Sequence, residues 1–509
     1  MIPAGAATRR SDVAVVGAGP AGLAAAVAAA EAGAFVVVVD AGAQPGGQFW
    51  RHRPESVVPR PDGKGHHGWR TYLDLRSLFD AARHNGQISY LPCRQVWMAE
   101  AVDAGFILRT TPTTAATSRY GEADGGSTVA ARRLVLCPGG YDRQLPVAGW
   151  DLPGVMTAGG IQALIKGHGV LPGRSFIIAG TGPFLLPVAA GIAEAGGKVQ
   201  AVLESSSPTA WLPHLRAAAG VPEKALEGAE YAAVFARHRI PYRTRAIVTE
   251  VLGAEPPDAG SPGSSRVTGV RTSKVDAQGR IRPGTERTYS DVDVVGFGWG
   301  FTPQLELPLS LRAETRLDTD GSLVGVVTER QESSVPGLFL AGEVTGVGGA
   351  SLAVLEGLTA GAFAAAGPGP AAAAPSHDVA RHRIFADAMH RAHPVPAAWQ
   401  DWLTPETIVC RCEEVTASEI TAARESLGAG DARSLKSVTR TGMGWCQGRV
   451  CGFAASCLGA GTGTAPTAEN LAASAKRPLA APVAIGELAA METQPDLSDP
   501  NTLLKGDRA

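Results

Sequence analysis

Residues 12–40 contain, in order, an apolar run, a glycine-rich turn, an alanine-rich stretch and a second apolar run ending in an acid. No other part of the chain restricts its fold so tightly. Asp12–Val16 reads as a short buried strand, and Gly17-Ala18-Gly19-Pro20-Ala21-Gly22 follows it directly. Leu23 to Ala32 has helix composition, Gly33 breaks it, and Phe35 to Val39 forms the next strand before Asp40. This order specifies a βαβ unit that binds a dinucleotide. Gly17 makes the tight turn, Gly19 lets main chain approach a pyrophosphate, and Gly22 lets helix and strand pack closely. The phosphates sit at the helix N-terminus beside Pro20 and Ala21, where a missing proline N–H costs little. Asp40, 23 residues after Gly17, is placed to accept hydrogen bonds from an adenosine ribose. Gly46-Gly47-Gln48 is either an ordinary turn or a point where the chain passes close to a flavin or its phosphates.

Arg133–Cys137 is a further buried strand, followed by Pro138-Gly139-Gly140. Cys137 has no cysteine or histidine near it and reads as a structural thiol; the absence of CxxC here argues against thioredoxin-reductase-like chemistry. Residues 337–361 give another strand, Gly337 to Glu343, then a glycine-rich turn and a helix from Ser351. Both segments resemble those of two-dinucleotide-binding flavoproteins. The resemblance implies that Gly139 precedes the second nucleotide domain and that the acid after Gly342 holds the ribityl chain. It also implies that the following helix points its N-terminus at the isoalloxazine. The family usually has Asp where this chain has Glu343. Between the two segments, Phe176–Ala179, Gly180-Thr181-Gly182 and Val199–Glu204 repeat the first unit, with Leu185 at the third glycine position. Leu185 keeps helix and strand apart, so a retained scaffold is the favoured reading over a working NAD site. Were NAD to bind there, Glu204 would select it over its 2′-phosphorylated relative.

A length of 509 residues allows two sizeable cores, or one core with a satellite. With 46 basic and 48 acidic residues there is no charge excess to attract nucleic acid. Residues 1–10 lack a signal-peptide apolar region and no stretch reads as a membrane span, so the expected location is cytoplasmic. His66 and His67 look like surface-loop residues. Residues 110–130 read as a hairpin or surface loop, and residues 254–264 and 278–286 as turns or loops. The Pro/Ala/Gly stretch at 367–375 is the best linker candidate. His377, His382, His390 and His393 follow it; with no carboxylate pattern beside them, they read as covering a domain interface rather than holding a metal.

Five of the seven cysteines fall between Cys410 and Cys457. Cys410-Arg411-Cys412 is followed, after 33 residues, by Cys446 and then, after four more, by Cys451. Four thiolates at this spacing suit an iron–sulfur cluster or zinc, with unliganded thiols a third reading. Gly442, Gly444, Gly448 and Gly452 would let backbone N–H groups turn towards cluster sulfurs. Arg411, Lys436, Arg440 and Arg449 are candidates to offset its negative charge. Cys457 reads as a core thiol.

Val409–Val415 (VCRCEEV) and Lys436–Gly452 (KSVTRTGMGWCQGRVCG) resemble the bacterioferritin-associated-ferredoxin-like module, a small helical domain binding one [2Fe–2S] cluster. The resemblance implies that Cys410, Cys412, Cys446 and Cys451 are the ligands. With Leu152–Leu164 (LPGVMTAGGIQAL) and Gly180–Ala190 (GTGPFLLPVAA), the chain resembles the alpha, or flavoprotein, subunits of hetero-oligomeric amine and opine dehydrogenases. That family includes opine oxidase, dye-linked proline and hydroxyproline dehydrogenases, hydrogen cyanide synthase and sarcosine oxidase alpha relatives. It implies an α/β fold of two dinucleotide-binding units, the second inserted into a Rossmann-like FAD domain, plus a C-terminal helical [2Fe–2S] domain. The expected boundaries are 10–140 and 296–366 for the FAD domain and 141–295 for the inserted domain. A linker and interface segment spans 367–403, the cluster domain 404–490 and a tail 491–509. The family implies FAD here, with NAD or an adenine nucleotide as alternatives in the same pocket, and often FMN at a subunit interface. Substrate oxidation, at the C–N bond of a secondary amine, opine or amino acid, falls to a glycine-oxidase-like beta subunit. A small gamma subunit and an external electron acceptor are further implied partners. No residue of this chain is assigned a catalytic role. The alternatives are a self-contained FAD-dependent NAD(P)H oxidoreductase and a non-enzymatic scaffold that regulates a partner.

Overall fold

Runs of valine and alanine that read as continuous in sequence lie between strands and helices on both faces, as a buried parallel sheet requires. In the computed structural model, which describes residues 8–58, 63, 65–113, 127–254, 265–367, 377–477 and 479–490, the chain enters through β1 (Thr8–Val16). It turns at Gly17 into α1 (Pro20–Glu31) and returns through β2 (Val36–Val39). The helix starts at Pro20, three residues before the sequence-based expectation, because proline's fixed φ suits a first helical position. α2 (Trp69–His84), β3 (Ile88–Leu91), β4 (Arg94–Val102), β5 (Gly105–Pro112) and β6 (Ser127–Leu136) extend the sheet in the order β3-β2-β1-β6-β5-β4. Most of the expected hairpin at 110–130, the turn at 254–264 and the 367–375 linker, and the whole 491–509 tail, lie outside the described residues.

β7 (Gly140–Asp142) leaves the first sheet. The second unit then runs through β8 (Val155–Thr157), α3 (Ala158–His168), β9 (Ser175–Gly180), α4 (Leu185–Glu194) and β10 (Lys198–Glu204). After α5 (Leu215–Ala219), α6 (Pro222–His238) and β11 (Tyr242–Thr244) comes an antiparallel ribbon of β12 (Ala246–Gly253), β13 (Val267–Lys274) and β14 (Arg287–Ser290). β15 (Val294–Gly298) completes a second parallel sheet, β11-β10-β9-β15-β8. β16 (Phe301–Pro303) returns antiparallel to β7, so two short paired strands connect the units.

α7 (Glu306–Ser310) and the hairpin of β17 (Thr315–Leu317) and β18 (Leu323–Gly325) lead to β19 (Leu338–Leu340), which rejoins the first sheet beside β6. α8 (Ala350–Ala366) then lies across α1. A Cβ at Gly357 or Gly361 would stand 2.1 Å from the carbonyl oxygen of Ala21 or Ala25, so the two helix backbones touch.

α9 (His377–Ala392) precedes the helical cysteine module: β20 (Ile408–Cys410), β21 (Val415–Thr416), α10 (Ala417–Leu427), α11 (Ala432–Thr439), α12 (Gly452–Ala460), α13 (Ala468–Ala475) and α14 (Ile485–Ala490). Thr416 and Glu419 form a capping box on α10, and Asp431 and Thr467 cap α11 and α13. Among the described residues the module has no separate core. One apolar cluster runs from Ile177, Phe297 and Trp299 through Trp399 and Trp402 to Val409, Ile420, Leu435 and Leu458. No helix among the described residues is long and apolar enough to cross a membrane.

The α1–α8 contact makes a paired prediction. Gly361→Val should lower the thermal unfolding midpoint by the equivalent of about 1–3 kcal/mol, because its Cβ meets main chain. Gly191→Ala on α4, where a Cβ meets nothing within 4 Å, should raise it by about 1 kcal/mol. Thermal melts of the two variants against the parent chain check both signs.

Candidate functional site

The turn after β1 is built from close main-chain contacts. Gly17 has φ of 98°, and a Cβ there would lie 2.3 Å from the Cys137 carbonyl oxygen; one at Gly22 would lie 1.8 Å from that of Gly17. Gly47 reaches the same place from its own loop, its would-be Cβ 2.7 Å from the Gly19 Cα. A Cβ on Gly19 would meet nothing closer than 3.8 Å, so the strip over Gly19 is open. Gly342 completes the ring, its Cβ position 3.1 Å from the Ala21 Cβ. Gly17, Gly19, Pro20, Ala21, Gly22, Gly47 and Gly342 thus come together around the start of α1. Gly139 lies two residues past Cys137 and accepts from the Gln304 N–H; Gln48 accepts from Arg51. At the end of β2, burial raises the Asp40 pKa to about 6, against hydrogen bonds from the Ala18, Gly42 and Ala41 backbone and the Tyr90 hydroxyl. An open glycine strip with an acid at the far end of the second strand fits a dinucleotide.

The turn after β19 closes this cradle. The Glu356 carboxylate, buried in α8, accepts from the Gly342 N–H and the Thr345 hydroxyl, each at 2.9 Å. Arg383 of α9 ion-pairs with Glu356 and donates to the Gly346 carbonyl at 3.0 Å. Glu343 accepts from the Gly349 N–H, while its Oε2 is buried without a partner. Burial raises its pKa to about 7, and nearby Arg383 works in the opposite direction. A buried, unpartnered carboxylate oxygen beside the glycine ring is what a ligand hydroxyl would complete. Glu356 and Arg383 were not among the residues expected from sequence. The single acid in the otherwise uncharged α8 was a signal for Glu356; Arg383 gave none.

The second glycine turn is filled differently. Leu185 is fully buried, and its side chain lies 2.9 Å from where a Gly298 Cβ would stand. Both Glu204 oxygens are taken: Oε2 by the Gly182 N–H at 2.9 Å, Oε1 by the Thr181 hydroxyl at 3.0 Å and the Ser206 N–H at 2.9 Å. His393 sits over Gly182, its Nδ1 3.6 Å from Glu204. The Trp211 indole N–H donates to His393 Nε2 at 3.0 Å, which puts a neutral ring's proton on Nδ1, facing the carboxylate. Glu204, which would select NAD were NAD to bind here, is bound up within the protein.

Cys451 lies within hydrogen-bonding reach of Cys410 and Cys446, and Cys446 of Cys412. Sharing its single proton with Cys410 and Cys446 raises the pKa of Cys451 and lowers theirs, while burial raises that of Cys412. Backbone N–H groups of Gly442, Glu413 and Cys412 face the Cys410 sulfur, and those of Val450 and Gly448 face Cys446. No three of these four sulfurs lie within 4.8 Å of one another among the described residues. A tetrahedral zinc site, with bonds of about 2.3 Å, would hold all four roughly 3.8 Å apart. A chain of contacts with N–H groups aimed at sulfur suits a two-iron cluster better.

One expectation needs correcting. Carboxylates do accompany the histidines of 377–400, but they come from distant elements that spacing cannot reveal. His382 lies 3.5 Å from Glu223, His393 beside Glu204, and His390 in a compact group with Asp318 and Asp320. Those two aspartates already pair with Arg316 and Arg143, each at 2.8 Å. Three of the four basic residues expected to balance the cluster also hold other partners. Arg411 covers the Trp150 ring, Arg440 pairs with Glu413 at 2.7 Å, and Arg449 donates to the Tyr141 hydroxyl at 2.7 Å and pairs with Glu306 at 2.9 Å. Tyr141, Glu306 and Arg477, which meet there, carried no sequence signal.

Comparison with known proteins agrees with this geometry. The family model described as "Pyridine nucleotide-disulphide oxidoreductase" matches residues 11–357, and that of the "BFD-like [2Fe-2S] binding domain" matches residues 408–456. An opine oxidase subunit of Rhizobium meliloti is 32% identical over 86% of this chain and 80% of its own length. Hydrogen cyanide synthase subunit HcnB of Pseudomonas aeruginosa is 30% identical over 88% of this chain and 93% of its own. The crystal structure of L-proline dehydrogenase from P. horikoshii shares the fold with a TM-score of 0.62 at 18% identity. The match covers 95% of this chain and 80% of that one.

Glu343 also fixes a pH dependence. Its folded-state pKa of about 7 stands above the ordinary 4.5, so it contributes stability at low pH that is lost as pH rises through about 7. In the flavin-free protein, Glu343→Gln should therefore flatten the fall in stability between pH 4.5 and 7. Thermal melts across that range decide it; an unchanged slope would mean that Glu343 is not held in the state described.

Proposed function

The chain belongs to the pyridine nucleotide-disulphide oxidoreductase family and carries a BFD-like [2Fe–2S] binding domain, and from that premise we propose that it is the electron-transferring subunit of a multi-subunit amine- or opine-oxidising enzyme. In this reading a glycine-oxidase-like beta subunit oxidises the C–N bond of a secondary amine, opine or imino/amino acid. This chain takes the electrons onward to an external acceptor. FMN at the subunit interface and a small gamma subunit belong to the same reading.

FAD supplies two-electron acceptance with one-electron release, and a [2Fe–2S] cluster supplies single-electron transfer. The protein's part is to hold and separate them. Gly17, Gly19, Pro20, Ala21, Gly22, Gly47, Gln48 and Gly139 would line the approach to the pyrophosphate and flavin, and Asp40 would accept from the ribose. Gly342 and Glu343 would hold the ribityl chain, and Cys410, Cys412, Cys446 and Cys451 would ligate the cluster. NAD or an adenine nucleotide would use the same glycine strip.

The observation that carries this reading is the shared core. The cysteine module packs on the second sheet, and Arg449 of its ligand loop donates to Tyr141 on the strand between the two units. The ligand loop is thereby fixed to the flavoprotein, as an electron relay requires. A nicotinamide-driven reductase would need the Gly180 turn, which His393 and the engaged Glu204 close.

The test is to purify the native assembly anaerobically and measure flavin, iron and sulfide together with every co-purifying chain. Flavin, two irons per chain and a second flavoprotein are the expected result. A lone chain whose flavin is reduced by NADH would refute it. Two variants then sort the sites. Gly19→Val should lose flavin and keep iron, because the open strip would be filled; Cys446→Ser should lose the cluster absorption and keep flavin. Unchanged iron in the second would remove Cys446 from the ligand set.

A further inference from the structure

Two buried guanidinium groups share one carboxylate where the cysteine loop meets the flavoprotein. Arg449 approaches Glu306 Oε1 at 2.9 Å, and Arg477, at the end of α13, approaches the same atom at 3.4 Å. The three side chains are 15%, 10% and 7% exposed, in the order Arg449, Arg477, Glu306. Tyr141, the fourth member, is a neutral phenol that donates to Glu306 at 3.3 Å. The group therefore carries one more positive charge than negative. An unbalanced charge in a buried place is costly unless a counter-charge stands within reach.

Both arginines also grip the ligand loop. Arg449 donates to the Cys446 carbonyl at 3.3 Å, and Arg477 donates to the carbonyl of Gln447, the next residue. The Arg477 guanidinium comes within 3.4 Å of where a Gly448 Cβ would stand. Its remaining bonds are to the Ser474 and Ala475 carbonyls, which bring no countercharge. The surplus positive charge thus lies beside Cys446 of the thiol chain, on the side facing the flavoprotein.

We infer that Arg477, opposed by Glu306, sets the reduction potential of the cluster held by Cys410, Cys412, Cys446 and Cys451. This rests on the reading that those cysteines ligate a [2Fe–2S] cluster. One-electron reduction adds one negative charge to a thiolate-ligated cluster, and a fixed positive charge beside Cys446 favours the reduced form. Glu306 limits the effect by neutralising one of the two arginines. Arg477 is a positioning and charge-setting residue; it touches the ligand loop, and no ligand atom is assigned to it.

The opposite charges of Arg477 and Glu306 make the test a matter of sign. The full chain in its native assembly, with iron content checked for each variant, is titrated anaerobically under electron paramagnetic resonance. Arg477→Gln should make the cluster about tenfold harder to reduce, a downward shift of about 59 mV for a one-electron couple. Glu306→Gln should shift the potential upward, and Arg477→Lys, which keeps the charge but not the paired carbonyl contacts, should stay near the parent value. A purely structural role would make Arg477→Lys resemble Arg477→Gln. Equal potentials, or shifts of the same sign in Arg477→Gln and Glu306→Gln with iron retained, would overturn the inference while leaving the ligand assignment standing. Absence of iron and sulfide in the parent chain would instead remove the cluster reading and this inference with it. Should Arg477→Gln lose its iron, the Glu306→Gln shift alone decides.

Discussion

At Gly17, Gly22, Gly357 and Gly361, main chain meets main chain at distances that leave no space for a Cβ. These contacts surround α1. Its first turn is pressed against Cys137, the residue after β6, and its length against α8 through the Ala21 and Ala25 carbonyls. With no side chain between the layers, the N-terminus of α1, the Gly47 loop and the Gly342 turn come within van der Waals contact. Only then does a strip of main chain become available to a pyrophosphate. The same closeness explains the composition: α1 is alanine-rich because larger side chains would hold α8 away and open the ring.

A second constraint is electrical. Glu356 is buried because the Gly342 N–H and the Thr345 hydroxyl need an acceptor, and Arg383 is drawn in because Glu356 needs a counter-charge. Since Arg383 belongs to α9, the segment leading to the cysteine module is fixed to the turn that closes the nucleotide cradle. Arg449 and Glu306 make a similar connection at Tyr141. Buried ion pairs contribute little net stability, but each is specific in direction. Together they fix the orientation of the module relative to the flavoprotein, which the apolar core shared through Trp299, Trp399 and Trp402 would leave less defined.

The fold was legible wherever a glycine was forced by main-chain contact, since such positions tolerate one residue type and so mark themselves. Gly17, Gly22 and Gly180 are of this kind, Gly342 is held to glycine by a φ of 82°, and the two βαβ units and the closing strand follow from them. The ligand candidates among the cysteines were legible for a related reason, because thiols at short spacing flanked by glycines have few other uses. What the sequence did not reveal were the partners of buried charges. Glu356 and Arg383 are 27 residues apart, Tyr141 and Arg449 308 apart, and neither pair obeys a local spacing rule. The carboxylates beside His382, His390 and His393 were missed for the same reason. Pattern reveals what the backbone demands locally, while charge neutralisation is settled by topology.

The two βαβ units also show how one motif can take two uses. At the first, glycine in the third position brings helix against strand, and the strip over Gly19 stays open. At the second, Leu185 packs into the sheet against Gly298, Glu204 turns inward to the Gly182 N–H, and His393 covers the turn. The electron-transfer role proposed above asks for no ligand at that turn. The second unit's sheet can then share a permanent core with the antiparallel ribbon and with the cysteine module. A relay depends on a fixed separation between its carriers, and a domain that opened for a nicotinamide would alter it at every turnover. In the proposed relay, the filled second turn and the anchored cluster loop would serve the same requirement.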